Sequence, residues 1–175
     1  MNAPLKVVWL TGLSGAGKST LAEALAVQLR ALGERVSILD GDVLRQGLCS
    51  DLGFSPQDRV ENIRRTAEVA RLMQQAGLRV IVALISPYAA ERAAAAARFG
   101  PDEFAEVHVH APLAVTEARD PKGLYARARR GEIRQFTGID APYEAPITPA
   151  LRIDTSQCSV EAAVQALLNL LVAAA

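Results

Sequence analysis

The chain has 175 residues, of which 50% are hydrophobic and 22% charged, a composition typical of a soluble globular protein and not of a disordered or fibrous one. Its 19 Lys and Arg residues balance 19 Asp and Glu residues, so no overall field draws it to nucleic acid or to a membrane surface. The length predicts a single domain, residues 1–175, with a sizeable core.

Neither end of the chain has the pattern of a targeting or membrane-spanning segment. The N-terminus lacks the basic start and long apolar centre of a signal peptide. The apolar C-terminal stretch from Val160 is shorter than a membrane span, and its larger apolar residues recur at helical spacing. Cys49 and Cys158 form no metal-spaced cluster and no disulfide framework. We therefore expect a cytoplasmic protein with a core-packed terminal helix.

Short β-rich segments alternate with helical patterns along the chain. A helix with leucines on one face follows the first strand and ends at Gly33. A second helix begins at Pro56, capped by Ser55, and ends at Gly77. The alanine run 93–97 predicts a tightly packed helix. Apolar strands separated by helices predict an α/β fold, with a parallel sheet covered on both faces. The predicted strands are 6–10, 35–39, 79–85, 103–110 and 151–154.

One segment, residues 119–149, interrupts this alternation. It is rich in charged residues and glycines, and its prolines lie towards its end. Such a length is unusual for a simple connection in a compact domain, and long segments of this kind are often lids. The alternative is a short helix followed by a flexible surface loop.

A glycine-rich run between the first strand and its helix matches G-x-x-x-x-G-K-[ST], in the structural context that this motif requires. Its backbone N–H groups, with the positive end of the helix that begins near Lys18, are suited to phosphate. We expect Lys18 to bridge the β- and γ-phosphates and Ser19 to ligate Mg²⁺. The sequence thus predicts a site for ATP or GTP formed by Gly12, Leu13, Ser14, Gly15, Ala16, Gly17, Lys18, Ser19 and Thr20.

A nucleotide site does not by itself fix the function. The Asn-Lys-x-Asp segment of guanine-specific GTPases does not occur in the sequence. Small P-loop proteins of this size are more often metabolite kinases, by analogy at the level of the fold.

Two aspartates follow the second strand, at the edge of the sheet where ligands bind in folds of this type. An extended Asp40-Gly41-Asp42 directs its carboxylates to opposite sides. One could then orient Mg²⁺ or its waters, while the other accepts a proton from an attacking hydroxyl. Alternatively, Asp42 caps a helix that starts at Val43.

The chain resembles the adenylylsulfate kinases in the stretches GLSGAGKSTLA, DGDVLRQGL, DLGFSPQDRVENIRRTAEVA, ISPY, RDPKGLYARARRGEIRQFTGIDAPYEAP and DTS. The resemblance extends from about residue 5 to the C-terminus. It implies a P-loop NTPase-type sheet and transfer of the ATP γ-phosphoryl group to the ribose 3′-hydroxyl of adenosine 5′-phosphosulfate, with Mg²⁺. The products would be ADP and 3′-phosphoadenosine 5′-phosphosulfate.

The resemblance also implies an acceptor site that suits this dianionic nucleotide. Arg45, Arg59 and Asn62 match contacts to the phosphosulfate and the sugar, and arginine offers a planar donor fork for such oxygens. Arg59 and Asn62, three apart at a helix start, share one face. The alternative is that these arginines are solvated surface charges, the role we assign to Arg64, Arg65 and Arg71.

Phe54 and Phe136 match the aromatic pair that holds the adenine of the acceptor, where stacking contributes about 1–3 kcal/mol per base. A core or hydrophobic-staple role remains open for Phe54. The resemblance implies further contacts to the acceptor from Asp42, Ile85, Ser86, Lys122 and Gln135, and a position near the ATP adenine for Arg119 and Cys158.

Ser86 aligns with a serine sometimes described in the family as a phosphorylated intermediate. We assign it to binding, since direct in-line transfer needs no such step and no base dedicated to it is evident. The basic residues of segment 119–149 would close over both substrates and exclude water. The competing hypothesis, an RNA-binding patch, has no nucleic-acid motif in its support.

The sequence departs from the family at several positions. Val43 stands where many relatives have Asn, and Gln135 replaces a usual Gly beside Phe136. His108 and His110 alternate with valines, which predicts a polar strand face; a metal site is the alternative, but no third ligand is apparent.

We therefore predict an ATP-dependent adenylylsulfate 3′-phosphotransferase. Lys18, Asp42 and Asp40 are its catalytic residues, with Asp42 orienting or deprotonating the 3′-hydroxyl and Ser19 and Asp40 holding Mg²⁺. A homodimer and functional coupling to a sulfurylase are expected, without nucleic acid or membrane partners. The alternatives are a kinase of another small hydroxyl compound and a non-catalytic nucleotide-binding regulator of a sulfurylase.

Overall fold

The computed structural model of the chain describes residues 5–173. Residues 1–4, part of the N-terminal stretch considered above, and residues 174–175, the end of the predicted terminal helix, lie outside the described residues. The described strands form one parallel sheet in the order β2-β3-β1-β4-β5. They are β1 (Val7–Thr11), β2 (Val36–Asp40), β3 (Arg79–Ala83), β4 (Phe104–His110) and β5 (Leu151–Asp154).

Helices connect these strands and cover the sheet. They are α1 (Lys18–Ala31), α2 (Gly41–Gln46), α3 (Pro56–Gln75), α4 (Ala89–Ala96), α5 (Leu113–Arg119), α6 (Leu124–Arg129) and α7 (Val160–Ala173). No helix in residues 5–173 is both long enough and apolar enough to cross a membrane.

The two faces of the sheet bury separate hydrophobic clusters. Successive residues of a strand point to opposite faces, so Leu10 packs with the leucines of α1 and α7, whereas Trp9 packs with Ile63 of α3 and Ala95 of α4. The predicted α/β sheet, parallel and covered on both faces, is confirmed.

Local sequence signals set the ends of the long helices. Ser55 and Asp58 form the capping box that begins α3, and Gly77, at φ +82°, follows its end. Gly33 follows α1 at φ +83°. These helix ends agree with the predicted ones.

The alanine helix and the terminal helix agree with prediction in part. Ala95 is buried, but Ala93 and Ala94 of α4 are exposed, so tight packing of the whole run is wrong. The face of α7 that includes Leu167 is buried as predicted, although Val160 at its start is 39% exposed.

The prediction for residues 40–42 is wrong in its geometry. Asp40 ends β2 in an extended conformation, and its Oδ1 accepts a hydrogen bond from the Asp42 N–H at 2.9 Å. This bond starts α2 at Gly41, so Asp40 is the cap and Asp42 lies in the first helical turn. The Asp-Gly-Asp stretch is therefore not extended, and Asp42 does not cap a helix at Val43.

Segment 119–149 combines helix and turns. It starts at the last residue of α5, contains α6, and continues through a turn with a bridge between Thr137 and Ala141. The segment thus contains a short helix followed by a loop in which Phe136 and Thr137 are buried, and its flexibility stays a prediction. Whether it closes over a ligand stays a prediction.

Candidate active site

A cavity of about 960 Å³ opens at the carboxyl ends of the first three strands, between the glycine-rich loop, α2, α3 and segment 119–149. Residues predicted to contact ATP and residues predicted to contact the acceptor both line it. The residues predicted for it that line it are Ser14, Gly15, Gly17, Lys18, Ser19, Thr20, Asp40, Asp42, Arg45, Phe54, Arg59, Asn62, Ile85, Ser86, Arg119, Lys122, Phe136 and Cys158.

The glycine-rich loop is shaped by two glycines that no other residue could replace without strain or collision. A Cβ on Gly12 would lie 2.1 Å from the carbonyl oxygen of Val109. Gly17 precedes α1 at φ +99°, in the left-handed region that favours glycine. Among the described residues no side chain caps α1, and its first turn carries no acidic residue. This helix start is therefore suited to an anion.

Lys18 is buried at the base of the loop. Its Nζ donates to the carbonyl oxygens of Gly12 and Leu13, each at 2.8 Å. Burial lowers the pKa of Lys18 to about 8, and the nearby Asp40 carboxylate opposes this shift. The ammonium group is thus held by two carbonyl oxygens of the loop, and no carboxylate of residues 5–173 is in direct contact with it.

Ser19 and Asp40 form a pair of oxygen groups in the cavity. Ser19 Oγ donates to Asp40 Oδ2 at 2.6 Å, while Oδ1 caps α2. Hydroxyl and carboxylate oxygens are the ligands that Mg²⁺ prefers, and it is commonly held by one or two carboxylates plus substrate phosphates. In residues 5–173, no group of three His, Cys, Asp or Glu is arranged to hold a metal, so the pair fits an ion shared with phosphates and not an all-protein cage.

Asp42 and Lys122 face each other across the cavity and form an ion pair. Asp42 comes from the first turn of α2 and Lys122 from segment 119–149. Both side chains are at least half exposed, and surface pairs of this kind contribute little stability. An incoming hydroxyl group can therefore displace the pair at low cost.

Two arginines project from α2 and α3 and surround Phe54. Arg45 donates to the carbonyl oxygens of Leu52 and Gly53, and its guanidinium lies 4.2 Å from the centre of the Phe54 ring. Arg59 donates to the carbonyl oxygens of Phe54 at 3.0 Å and Gln135 at 2.6 Å. The solvated-surface alternative is wrong for Arg59, whose side chain is buried in these contacts.

Asn62 lies on the same face of α3 as Arg59 and is 2% exposed. Its Nδ2 finds no hydrogen-bond partner within the part of the chain that the structure describes. A buried amide without a partner is costly, and this one lines the cavity. By contrast, Arg64 and Arg71 on the outer side of α3 pair with Glu61 and Glu68, as expected of surface charges.

The predicted aromatic pair differs in environment. Both residues line the cavity from loops, as predicted. Phe136 is 7% exposed and packs edge-on against Tyr125, with ring centres 4.9 Å apart. Phe54 is 57% exposed, which does not support a core role.

Ser86 is buried beneath the cavity rim at φ +41°. Its Oγ accepts from Trp9 Nε1 at 3.0 Å and donates to the Leu84 carbonyl at 3.3 Å. Among the described residues, no carboxylate or imidazole hydrogen-bonds to this hydroxyl. The geometry therefore supplies no base to activate Ser86 as a nucleophile.

Arg119 and Cys158 lie on the side of the cavity nearest the glycine-rich loop. Arg119 donates to the Thr155 side chain and carbonyl and to the Gly15 carbonyl. Cys158 Sγ donates to the Asp154 carbonyl at 3.2 Å.

Comparison with known proteins assigns the chain to a family. A family model described as Adenylylsulphate kinase matches residues 5–154. The chain belongs to the adenylylsulfate kinase family.

Individual relatives agree with this assignment. An adenylyl-sulfate kinase of Burkholderia ambifaria is 61% identical over 153 residues, 87% of this chain and 84% of that protein. One of Shewanella amazonensis is 56% identical over 166 residues, 95% of this chain and 84% of that protein. The solved structure of the Mycobacterium tuberculosis APS kinase CysC in complex with AMPPNP and APS has a TM-score of 0.91 and 46% identity, covering 96% of this chain and 98% of that chain. The predicted resemblance and P-loop fold are confirmed.

Four predicted contacts of this adenylylsulfate kinase do not line the cavity: Gly12, Leu13, Ala16 and Gln135. Gly12 and Leu13 instead supply the carbonyl oxygens that hold Lys18. Gln135, at φ +56°, presents its carbonyl to Arg59. As ligand contacts these four stay predictions.

Several cavity residues were not predicted individually. Thr155 follows β5 and donates to the Ala16 carbonyl at 2.8 Å, which ties the loop to the sheet edge. The DTS stretch at residues 154–156 was its signal in the sequence. Ile133 also lines the cavity and had no signal of its own. Arg127 and Arg134, which line it from the same segment, belong to the basic residues expected to close over the substrates.

His108 and His110 lie on one face of β4, as predicted. Their ring centres are 5.5 Å apart, and His110 Nε2 lies 3.8 Å from Asp154 Oδ2. They line a separate, shallow groove with residues 145–152.

Proposed function

We propose that this adenylylsulfate kinase transfers the γ-phosphoryl group of ATP to the 3′-hydroxyl of adenosine 5′-phosphosulfate. One observation supports the assignment most: a single cavity is lined by the glycine-rich loop on one side and by Arg59, Asn62 and the two phenylalanines on the other. The named relatives and the structure described with AMPPNP and APS are consistent with two nucleotides in such a cavity.

The donor phosphates are bound by the loop amides and Lys18. Phosphate oxygens would take the place of the carbonyl oxygens that now hold Nζ, so the lysine charge would follow the transferring group. Ser19 and Asp40 would hold Mg²⁺, which when bound offsets the negative charge of the phosphates. Asp40 serves this purpose with Oδ2 alone, since Oδ1 caps α2.

The acceptor is held by groups of matching charge and shape. Asn62 offers its unpartnered Nδ2, and Arg45 and Arg59 offer donors for sulfate or phosphate oxygens. The adenine would stack between Phe54 and Phe136. The buried Phe136 would fix the position of the base, and the exposed Phe54 would cover its other face.

Asp42 orients or deprotonates the 3′-hydroxyl. The oxygen attacks the γ-phosphorus, the bond to the β-phosphate oxygen breaks, and the proton passes to Asp42. Lys122, paired with Asp42 before the acceptor arrives, remains beside it and stabilises charge on the acceptor. Segment 119–149 would act as the lid over both substrates. The chain would form a single kinase domain.

A coupled assay of ADP release with adenylylsulfate, ATP and Mg²⁺ tests this function. Asp42→Asn should lower kcat at least about a hundredfold, the contribution typical of a general base. ATP binding should change less than about threefold, because the loop is untouched. Asp102→Asn, at an exposed turn where φ +68° suits Asn, is the matched control and should keep wild-type turnover.

Retained turnover in Asp42→Asn would remove Asp42 as the base. A wild-type protein inactive on adenylylsulfate but active on a panel of sugar acids or nucleosides would identify a different metabolite kinase. A homodimer, coupling to a sulfurylase and a cytoplasmic location are predictions that sedimentation, co-purification and localisation would test.

A further inference from the structure

A buried arginine outside the cavity wall connects its rim to segment 119–149. Arg92 of α4 is 3% exposed. Its Nη1 donates to the Ser86 carbonyl at 2.8 Å and its Nη2 to the Glu144 carbonyl at 2.7 Å. Its Nε pairs with Glu106 of β4 at 2.5 Å. One guanidinium thus joins the end of β3, the end of segment 119–149 and the sheet.

The rim that Arg92 holds is in a strained conformation. Ser86 has φ +41°, a region that residues other than glycine seldom adopt. Such backbone persists when several contacts fix it. Here the Ile85 carbonyl accepts from Thr11 Oγ1 at 2.6 Å, and the Ser86 hydroxyl accepts from Trp9. The Ser86 carbonyl accepts its shorter side-chain hydrogen bond from Arg92 Nη1, at 2.8 Å, and a longer one from Thr11 Oγ1, at 3.4 Å.

The same contacts fasten the end of segment 119–149. The Glu144 N–H donates to the Pro87 carbonyl at 2.8 Å, and Glu144 Oε2 accepts from the Ala89 N–H at 2.6 Å. The Tyr143 hydroxyl lies 3.0 Å from Thr11 Oγ1, and its ring lies 6.0 Å from the Arg92 guanidinium. If the segment closes as predicted, these contacts place its moving part before Tyr143, with this end fixed.

We propose that Arg92 is a positioning residue for the acceptor: it sets the rim at Ile85 and Ser86 and fixes the end of segment 119–149 at Glu144 relative to that rim. The inference rests on the proposed function, because it assigns the rim to adenylylsulfate. A planar fork with separate donors is required, since one group must bond two carbonyls and a carboxylate at once. Lysine keeps the charge but offers a single nitrogen.

The test compares Arg92→Lys with Arg79→Lys. Arg79 is a matched control, a buried arginine that donates to the Leu5 carbonyl and pairs with Glu34 at the opposite end of β3. In Arg92→Lys, the KM for adenylylsulfate should rise about tenfold, as expected when a charged hydrogen bond is lost. The KM for ATP should stay within about twofold, because the glycine-rich loop does not contact Arg92.

Arg79→Lys should lower the melting temperature but leave both KM values unchanged. An unchanged KM for adenylylsulfate in Arg92→Lys, or an equal rise in both KM values, would mean a merely structural role and overturn the proposal. If Arg92→Lys does not fold, Tyr143→Phe and Glu106→Gln decide. Each should raise the KM for adenylylsulfate by a smaller factor, and an unchanged KM in both variants would overturn the proposal.

The wild-type protein separates this inference from the proposed function. If the wild-type protein turns over adenylylsulfate and Arg92→Lys has the same KM values, the inference is refuted and the proposed function stands. Absence of wild-type turnover refutes the proposed function first.

Discussion

At the scale of single residues, the chemistry of the site depends on how each charge is held before substrate arrives. Lys18 is buried against two carbonyl oxygens, and its pKa is lowered to about 8 mainly by loss of hydration. Asp42 and Lys122 are exposed and neutralise each other. The charge of the proposed donor side therefore depends on pH in the free enzyme, whereas the proposed acceptor side holds an exposed ion pair.

The lowered pKa of Lys18 predicts proton uptake on nucleotide binding. Near pH 8 about half of the free enzyme carries a neutral Lys18, and phosphates favour the charged form. ATP affinity should therefore decrease as the pH rises through about 8. Calorimetric titration at pH 8.5 in buffers of different ionisation enthalpy should show uptake of up to one proton.

Lys18→Arg is the control, because arginine stays charged at this pH. It should abolish the uptake even if it weakens binding. A binding enthalpy independent of the buffer in the wild-type enzyme would contradict the prediction.

At the scale of elements, the turn that presents Phe136 is held by one side chain. Asp140 accepts from the N–H groups of Gln135 at 2.8 Å and Phe136 at 2.6 Å, and these bonds lower the pKa of its carboxyl. They stabilise Gln135 at φ +56°, where the Gln135 carbonyl meets Arg59. The turn thus links Phe136, the proposed adenine contact, to Arg59, a proposed phosphosulfate contact.

Asp140→Ala should loosen this turn without unfolding the sheet. The KM for adenylylsulfate should rise roughly fivefold, about the effect of one weakened hydrogen bond. The melting temperature should change little, because Asp140 is exposed and lies outside both clusters of the sheet. Steady-state kinetics and thermal melts check both parts.

Asp140→Asn keeps a side-chain oxygen and should recover most of the affinity. Equal losses in Asp140→Asn and Asp140→Ala would show that charge, and not acceptance from the turn, is what matters.

Elements with local signals could be predicted from the sequence, and those set by neighbours could not. Strand periodicity, the capping box at Ser55 and the glycines after α1 and α3 each act within a few residues. The start of α2 depends on which of the two aspartates accepts a hydrogen bond from a backbone N–H and so caps the helix. The sequence Asp40-Gly41-Asp42 is compatible with a cap at either aspartate. The alanine run predicts a helix but not which of its faces the sheet covers.

At the scale of the whole molecule, the candidate site depends on contacts between distant parts of the chain. Arg92 and Glu144 are 52 residues apart, and Arg59 and Gln135 are 76 apart. No spacing rule predicts such pairs; the resemblance assigned Arg59 and Gln135 separately but not the bond between them. Arg92 had no signal in the sequence, because a buried arginine and a surface one look alike in a helix.

Global stability should depend on pH through His108. This imidazole of β4 is 6% exposed, is in register with Arg152 of the neighbouring β5, and has the Tyr143 ring of segment 119–149 packed against it. Burial, with further contributions from His110, Arg152 and Arg92, lowers its pKa to about 4. Of these charged groups, Arg92 pairs with Glu106, and His110 Nε2 lies 3.8 Å from Asp154 Oδ2.

Because the folded state holds this pKa below its ordinary value of 6.5, the unfolded state binds the proton first as pH falls. The free energy of unfolding should therefore be highest above about pH 6.5 and should decrease towards pH 4. For one proton the slope is at most about 1.4 kcal/mol per pH unit. Urea unfolding at several pH values measures this slope. His108→Gln should reduce it, whereas His110→Gln, which leaves the buried ring in place, should retain most of it; equal slopes in wild type and His108→Gln would assign the acid sensitivity to the carboxylates.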